Sequence, residues 1–117
     1  MPTIRDLVAA LRQRDGVDAA LIVGRDGLLI DSLSAPDVEP ERVAALIPAI
    51  VAAADEFAAH DDRGALTTAV LELHRGIAIA SVLSRDVILV VLAQPSADLG
   101  TLLFELRRHR ESIAALV

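Results

Sequence analysis

The spacing of apolar and polar residues divides the chain into eight stretches. Ile4, Leu7, Val8 and Leu11 recur on one helical face behind Thr3, a favourable N-cap. This predicts a first helix ending before Asp15-Gly16, where glycine can adopt the left-handed conformation that follows a helix. Two apolar runs, Val17–Val23 and Leu28–Ser32, flank Gly24-Arg25-Asp26-Gly27 and predict a β-hairpin, since the Asp-Gly turn supplies the positive φ that such turns need. Ser34–Pro40 is a polar connection with two prolines. A long helix follows from Glu41 to about Ala59, with Glu39 and Glu41 where the helix dipole favours negative charge. After a His60–Gly64 linker come three strand-like runs, Ala65–Leu73, Ile77–Val82 and Val87–Leu92, joined by short turns. Ser96 or Asp98 caps a last helix running to about Leu116. Its apolar side is Leu99, Leu102, Leu103, Leu106, Ile113 and Leu116, with Arg107, Arg108 and Arg110 outside.

The order α-β-β-α-β-β-β-α, a hairpin and a three-strand meander joined by a helix, predicts one mostly antiparallel sheet. Val87–Leu92 has no alternation, which marks a central strand covered on both faces. Ala65–Leu73 is more polar through Thr67, Thr68 and Glu72, which suits an edge. Helices must then cover both faces, the first and last sharing one and the long helix taking the other. The expected fold is α/β: a single-domain, three-layer α/β/α sandwich with five strands, spanning residues 1–117.

The long helix is the unusual element, because from Val43 to Ala54 it carries no charged or hydrogen-bonding side chain. At about 100° per residue, Val43, Leu46, Ile47, Ile50, Ala54 and Phe57 share one side and are expected to face the core. The other side holds Ala45, Pro48, Ala49 and Ala52, with Asp55, Glu56 and Ala59 lower down. A helix apolar all round is usually buried on both sides, so the small side is read as a contact with a second subunit. The competing reading is that Ala is simply a good helix former in an Ala-rich chain. Pro48 removes one hydrogen bond and crowds the Ala44 carbonyl, which predicts a kink; the apolar stripe keeps its phase past it, which argues against a break.

Composition narrows the picture further. Over half of the 117 residues are apolar, yet Phe57 and Phe104 are the only aromatics, so Leu, Val, Ile and Ala must build the core. The net charge of −6, with arginine as the only strong base, argues against nucleic acid and anionic membranes. The absence of cysteine removes disulfides, thiol catalysis and cysteine metal sites. The first residues read as an amphipathic helix, not a signal peptide, and the longest apolar run looks too short and Pro-interrupted to span a bilayer. The expected compartment is the cytoplasm of a bacterium or archaeon.

Little in the chain points to chemistry. His60, His74 and His109 share no metal-ligand spacing, and Ser81 lacks the surroundings of a nucleophile elbow. Asp61-Asp62 reads as solvated linker. Gly24-x-x-Gly27 lacks the Lys-Ser/Thr of a nucleotide loop and precedes a strand, so it is a turn. The cluster Arg107-Arg108-x-Arg110 is either a site for phosphate or an acidic partner, or a solvated helix face favoured by the dipole. No catalytic, cofactor-binding or metal-binding residue is assigned.

The element order, together with Gly16-Val17-Asp18-Ala19-Ala20-Leu21-Ile22-Val23, Arg25-Asp26-Gly27-Leu28-Leu29-Ile30, the Gly76 turn, Val87–Leu92 and Pro95–Arg108, resembles the Roadblock family, of the dynein light-chain and bacterial MglB type. The resemblance implies a homodimer with a continuous sheet, built by packing central helices and joining edge strands. Carried onto this chain, the interface residues are Ala45, Pro48, Ala49, Ala52 and Glu56 of the helix and Thr67, Ala69 and Leu71 of the strand. It also implies a small Ras-like GTPase as partner and a regulator that acts without an arginine finger, so no catalytic residue is expected. The alternatives are a scaffold that docks a GTPase without changing hydrolysis, and a ligand-sensing module serving a kinase or regulator.

Overall fold

The computed structural model describes residues 2–117. Its elements are α1 (Ile4–Arg12), β1 (Val17–Gly24), β2 (Leu29–Ser34), α2 (Pro40–Asp61), β3 (Thr68–Leu73), β4 (Gly76–Val82), β5 (Val87–Ala93), α3 (Leu99–Arg108) and α4 (Arg110–Ala114). The five strands form one sheet in the order β2-β1-β5-β4-β3, antiparallel at every pairing. The unalternating Val87–Leu92 run lies at the centre and the polar run at one edge, as its composition predicts.

Local signals account for the boundaries. Thr3 and Asp6 form a reciprocal capping box, which satisfies two otherwise orphaned N–H groups at the start of α1. Gly27 takes φ 88° in the hairpin turn, where a side chain would be strained, and the turn packs against Ala44 and Ala45 of α2. Of the two candidate caps for the last helix, Asp98 is the one used: it accepts from the Thr101 N–H and hydroxyl at 3.1 and 2.7 Å. Those bonds, the hydroxyl one foremost, hold the Asp98 carboxyl below the usual carboxylate range. The predicted single last helix is interrupted at His109, whose φ and ψ of −103° and 12° end α3 and begin α4. The break lets Arg110 turn inward to donate to the Val82 carbonyl, so it does not join Arg107 and Arg108 outside.

Helices cover the sheet on both faces. On one face Val8 and Leu11 of α1, Leu102 and Leu106 of α3 and Ile113 of α4 pack on Ala20, Ile22, Ile79, Leu89 and Val91. On the other, Ala44, Ile47 and Val51 of α2 pack on Ala19, Leu21, Val23, Val82, Ile88 and Val90. Branched aliphatics and alanines fill both cores without an aromatic ring, and Ser81 is a small buried residue within a strand. Each face therefore has its own core, divided by a sheet whose middle strand alternates sides.

Candidate partner interface

The helix α2 runs unbroken through Pro48 for 22 residues, so the proline does not divide it. It packs chiefly over β1 and β2. Its polar tie to the sheet is Arg25, whose guanidinium donates to Asp55 Oδ2 at 2.6 Å while its own N–H bonds the Asp86 carbonyl at 2.9 Å. Together with the Gly27 turn against Ala44, this sets which side of α2 faces inward.

That side differs from the predicted stripe. The fully buried residues are Ala44, Ile47 and Val51, with Val43, Pro48, Ala54, Asp55 and Ala58 half-buried. Leu46 and Phe57, expected in the core, are 56% and 69% exposed, and Ile50 is exposed as well. The helix is rotated by roughly one residue, about 100°. An amphipathic helix would resist such a rotation, because turning it would bury polar groups. From Val43 to Ala54 the helix is apolar all round, so the Arg25–Asp55 pair and the turn contact favour this phase without opposition from buried polar groups. The outward face consequently centres on Ala49 and Ala53, with Leu46, Ile50 and Phe57 on one shoulder and Ala45, Ala52 and Glu56 on the other.

Four of the predicted helix positions, Ala45, Ala49, Ala52 and Glu56, are exposed, while Pro48 is half-buried. Sequence reasoning missed Leu46, Ile50 and Phe57, since large apolar residues in a helix normally signal core. By length and composition α2 is long and apolar enough to cross a bilayer, contrary to the shorter run expected. One flank is committed to the sheet core and Asp55 to Arg25, so this apolar surface belongs to a packed helix with an uncovered side.

The second half of the surface is β3. It begins at Thr68, three residues later than predicted, leaving Thr67 exposed just before it. Its register against β4 is regular throughout, from Thr68↔Ser81 to Leu73↔Gly76. Ala69, Leu71 and Leu73 therefore share the α2 side of the sheet, with Ala69 packed on that core and Leu73 exposed. The Val82 N–H bonds the Thr67 carbonyl, which makes Thr67–Val82 a hydrogen-bonded pair. By antiparallel alternation the peptide groups of Thr68, Val70 and Glu72 point away from the sheet. Among the described residues none of them has a partner in a turn, loop or side chain.

Other candidate sites do not assemble. His60, His74 and His109 are each exposed, on the end of α2, in the β3–β4 turn and at the α3–α4 break. An open cleft of about 440 Å³ between Arg14–Val17 and Gln94–Leu102 lies at the start of α3, where the Asp98 carboxylate itself takes the Thr101 N–H. The cleft thus opens on a helix terminus already occupied by an acid.

Comparison with known proteins now bears on this surface. The Roadblock/LC7 domain profile matches residues 3–93. The chain belongs to the Roadblock/LC7 family. An uncharacterised protein of Methanocaldococcus jannaschii is 32% identical over 106 residues, 91% of this chain and 92% of its own length. The Myxococcus xanthus MglB structure superposes with a TM-score of 0.86 at 18% identity, covering 97% of this chain and 93% of that one. The Roadblock/LC7 domain of Streptomyces avermitilis gives 0.83 at 23% identity, over 93% and 92%. These likenesses confirm the sandwich, including α3 and α4 beyond the profile match. Roadblock/LC7 is a non-catalytic regulatory fold, and this chain shares it.

Proposed function

We propose that the chain is a cytoplasmic homodimeric regulator that binds a small Ras-like GTPase and stimulates its hydrolysis of GTP. The observation that carries this reading is the pairing of an uncovered apolar shoulder on α2 with a regular, unpaired strand edge at β3 in a Roadblock/LC7 chain. A second copy related by a two-fold axis would lay its α2 against the first and join β3 to β3. The free peptide groups of Thr68, Val70 and Glu72 would then pair across the seam, giving one continuous sheet.

In such an arrangement Ala45, Ala49 and Ala52 allow close helix approach, and Leu46, Ile50 and Phe57 supply the large apolar contacts. Glu56, Thr67, Ala69 and Leu71 border the joint, with Pro48 beneath it. Covering this shoulder with protein also makes membrane insertion of α2 unnecessary. The shared surface of both copies is where the GTPase docks. In this reading stimulation follows the mode that the family resemblance implies, rearranging the GTPase's own catalytic groups, so no residue of α2 is given a catalytic role.

Single-turnover GTP hydrolysis by a Ras-like GTPase encoded beside this chain, with and without excess protein, tests the proposal. Acceleration that an interface-broken variant cannot deliver supports it. Binding with an unchanged rate would reassign the chain as a scaffold. Absence of binding in both nucleotide states would remove activator and scaffold together.

A further inference from the structure

The chain has two aromatic residues, and both lie on the surface. Phe57 belongs to the α2 shoulder. Phe104 is 61% exposed on α3, in the layer on the opposite side of the sheet. With Leu102 and Leu106 pointing into the core, the helical period places Phe104 almost directly outward, with Arg107 and Arg108 on either side of it and Gly100 one turn before. Gly100 contributes no side chain, which leaves the ring accessible from that end.

The charges around the ring are unbalanced. Glu105, the only acid within α3, is held by Arg14. Arg110 is turned inward onto the Val82 carbonyl. Glu111, in the first turn of α4, makes no ion pair with either Arg107 or Arg108. Among the described residues neither of these two arginines has an ion-pair partner, on a protein whose net charge is −6. An exposed ring flanked by two free guanidiniums is the composition of an interface anchor, since aromatic residues and arginine dominate binding energy where they cluster.

We propose that the outward face of α3, centred on Phe104, Arg107 and Arg108, is a second docking surface that takes an acidic protein segment with an apolar anchor. Charge complementarity selects the occupant. A narrow segment of Glu and Leu meets the two guanidiniums while avoiding the acidic remainder of the protein, whereas a broad anionic membrane would face the whole negative surface. Because this face and the α2 shoulder lie on opposite layers, the domain can hold two partners at once.

Fluorescence anisotropy with a labelled amphipathic peptide of about four helical turns, leucine on one face and glutamate elsewhere, provides the test. The wild-type protein should bind it, and Phe104→Ser should bind at least about tenfold more weakly. Arg107→Glu/Arg108→Glu should weaken binding by about tenfold at low salt, with the difference shrinking as salt rises. Both variants alter exposed side chains, so an unchanged thermal midpoint should accompany the loss. Backbone amide resonances that shift on peptide addition should cluster on α3 and spare α2. The proposal fails if the peptide does not bind or if both variants bind normally. Equal binding of a peptide with lysine for glutamate overturns it too, as does capture by phosphatidylserine vesicles through the same three residues.

Discussion

The two edges of the sheet are finished in opposite ways. At β2 the chain has a register irregularity between Ile22 and Val23, and Asp18 and Ala35 form a hydrogen-bonded pair. Alternation from that pair turns the peptide groups of Ser34 and Ser32 outward. Those of Ser32, at the middle of the strand, are occupied: its N–H donates to Asp31 Oδ1 at 2.8 Å, and its carbonyl accepts from Arg5 at 3.1 Å. Arg5 and Asp31 also pair with each other at 2.7 Å, clamping α1 onto the edge. At β3 the register is regular, no arginine or proline intervenes, and the outward groups of Thr68, Val70 and Glu72 face open space. Bulges and inward-tied charges are the devices that keep edge strands from pairing. One edge has them and the other lacks them, which teaches that strand pairing is blocked at β2 and invited at β3.

The largest expected effect comes from Ala49→Arg, which places a charge at the middle of the outward α2 face. If that face is covered by a second copy, the unpaired charge should cost the dimer several kcal/mol, on the order of a broken buried pair. Sedimentation should then give the mass of one folded chain. A normal dimer would mean that the face is exposed.

The edge itself is tested by Val70→Pro, which removes an outward N–H without breaking a bond to β4. It should weaken dimerisation by about 1–2 kcal/mol, as for a lost interfacial hydrogen bond. Ser32→Pro is its counterpart on β2 and should leave the dimer constant unchanged, since that N–H already serves Asp31. Equal effects from the two prolines would erase the distinction between the edges.

A smaller change is expected from Arg5→Ala. The ion pair lies at the surface, so its loss should lower stability by less than about 1 kcal/mol. The freed Ser32 carbonyl and the nearby exposed Leu28 and Ile30 should nevertheless promote concentration-dependent species larger than a dimer, visible by light scattering. A strictly dimeric Arg5→Ala protein would show that the irregularity alone guards β2.

The smallest effect is expected far from both edges, at Asp98→Ala, which serves as a reference. Thr101 lowers the folded carboxyl pKa, so the cap contributes stability above the ordinary carboxylate range and loses it as pH falls through the lowered value. Thermal unfolding should separate variant from wild type at neutral pH and converge in strong acid, with the oligomeric state unaffected.

Short-range features were legible in the chain. Thr3 and Asp6 lie three apart and cap α1, Asp26-Gly27 makes the turn, and the run from Val87 to Leu92 can only be a covered strand. The candidate surface was half legible. Ala49 and Ala52 stand out as small and apolar, while Leu46, Ile50 and Phe57 read as core because periodicity has no phase over Val43–Ala54, where no polar side chain marks the outside. Arg110 looked equivalent to Arg107 and Arg108 until the break at His109 turned it inward.

Residue pattern alone accounts for the element order up to the break at His109, the antiparallel sheet with its central strand, the helices on both faces and the family. Each follows from neighbours within a few residues or from their order. Which side of α2 lies outside, and which sheet edge is guarded, emerge from long-range packing. Those outcomes rest on Arg25 meeting Asp55 and Arg5 meeting Asp31, contacts between residues 30 and 26 positions apart. Such pairs exist only once the sheet has brought distant segments together, and their partners carry no local pattern that announces them.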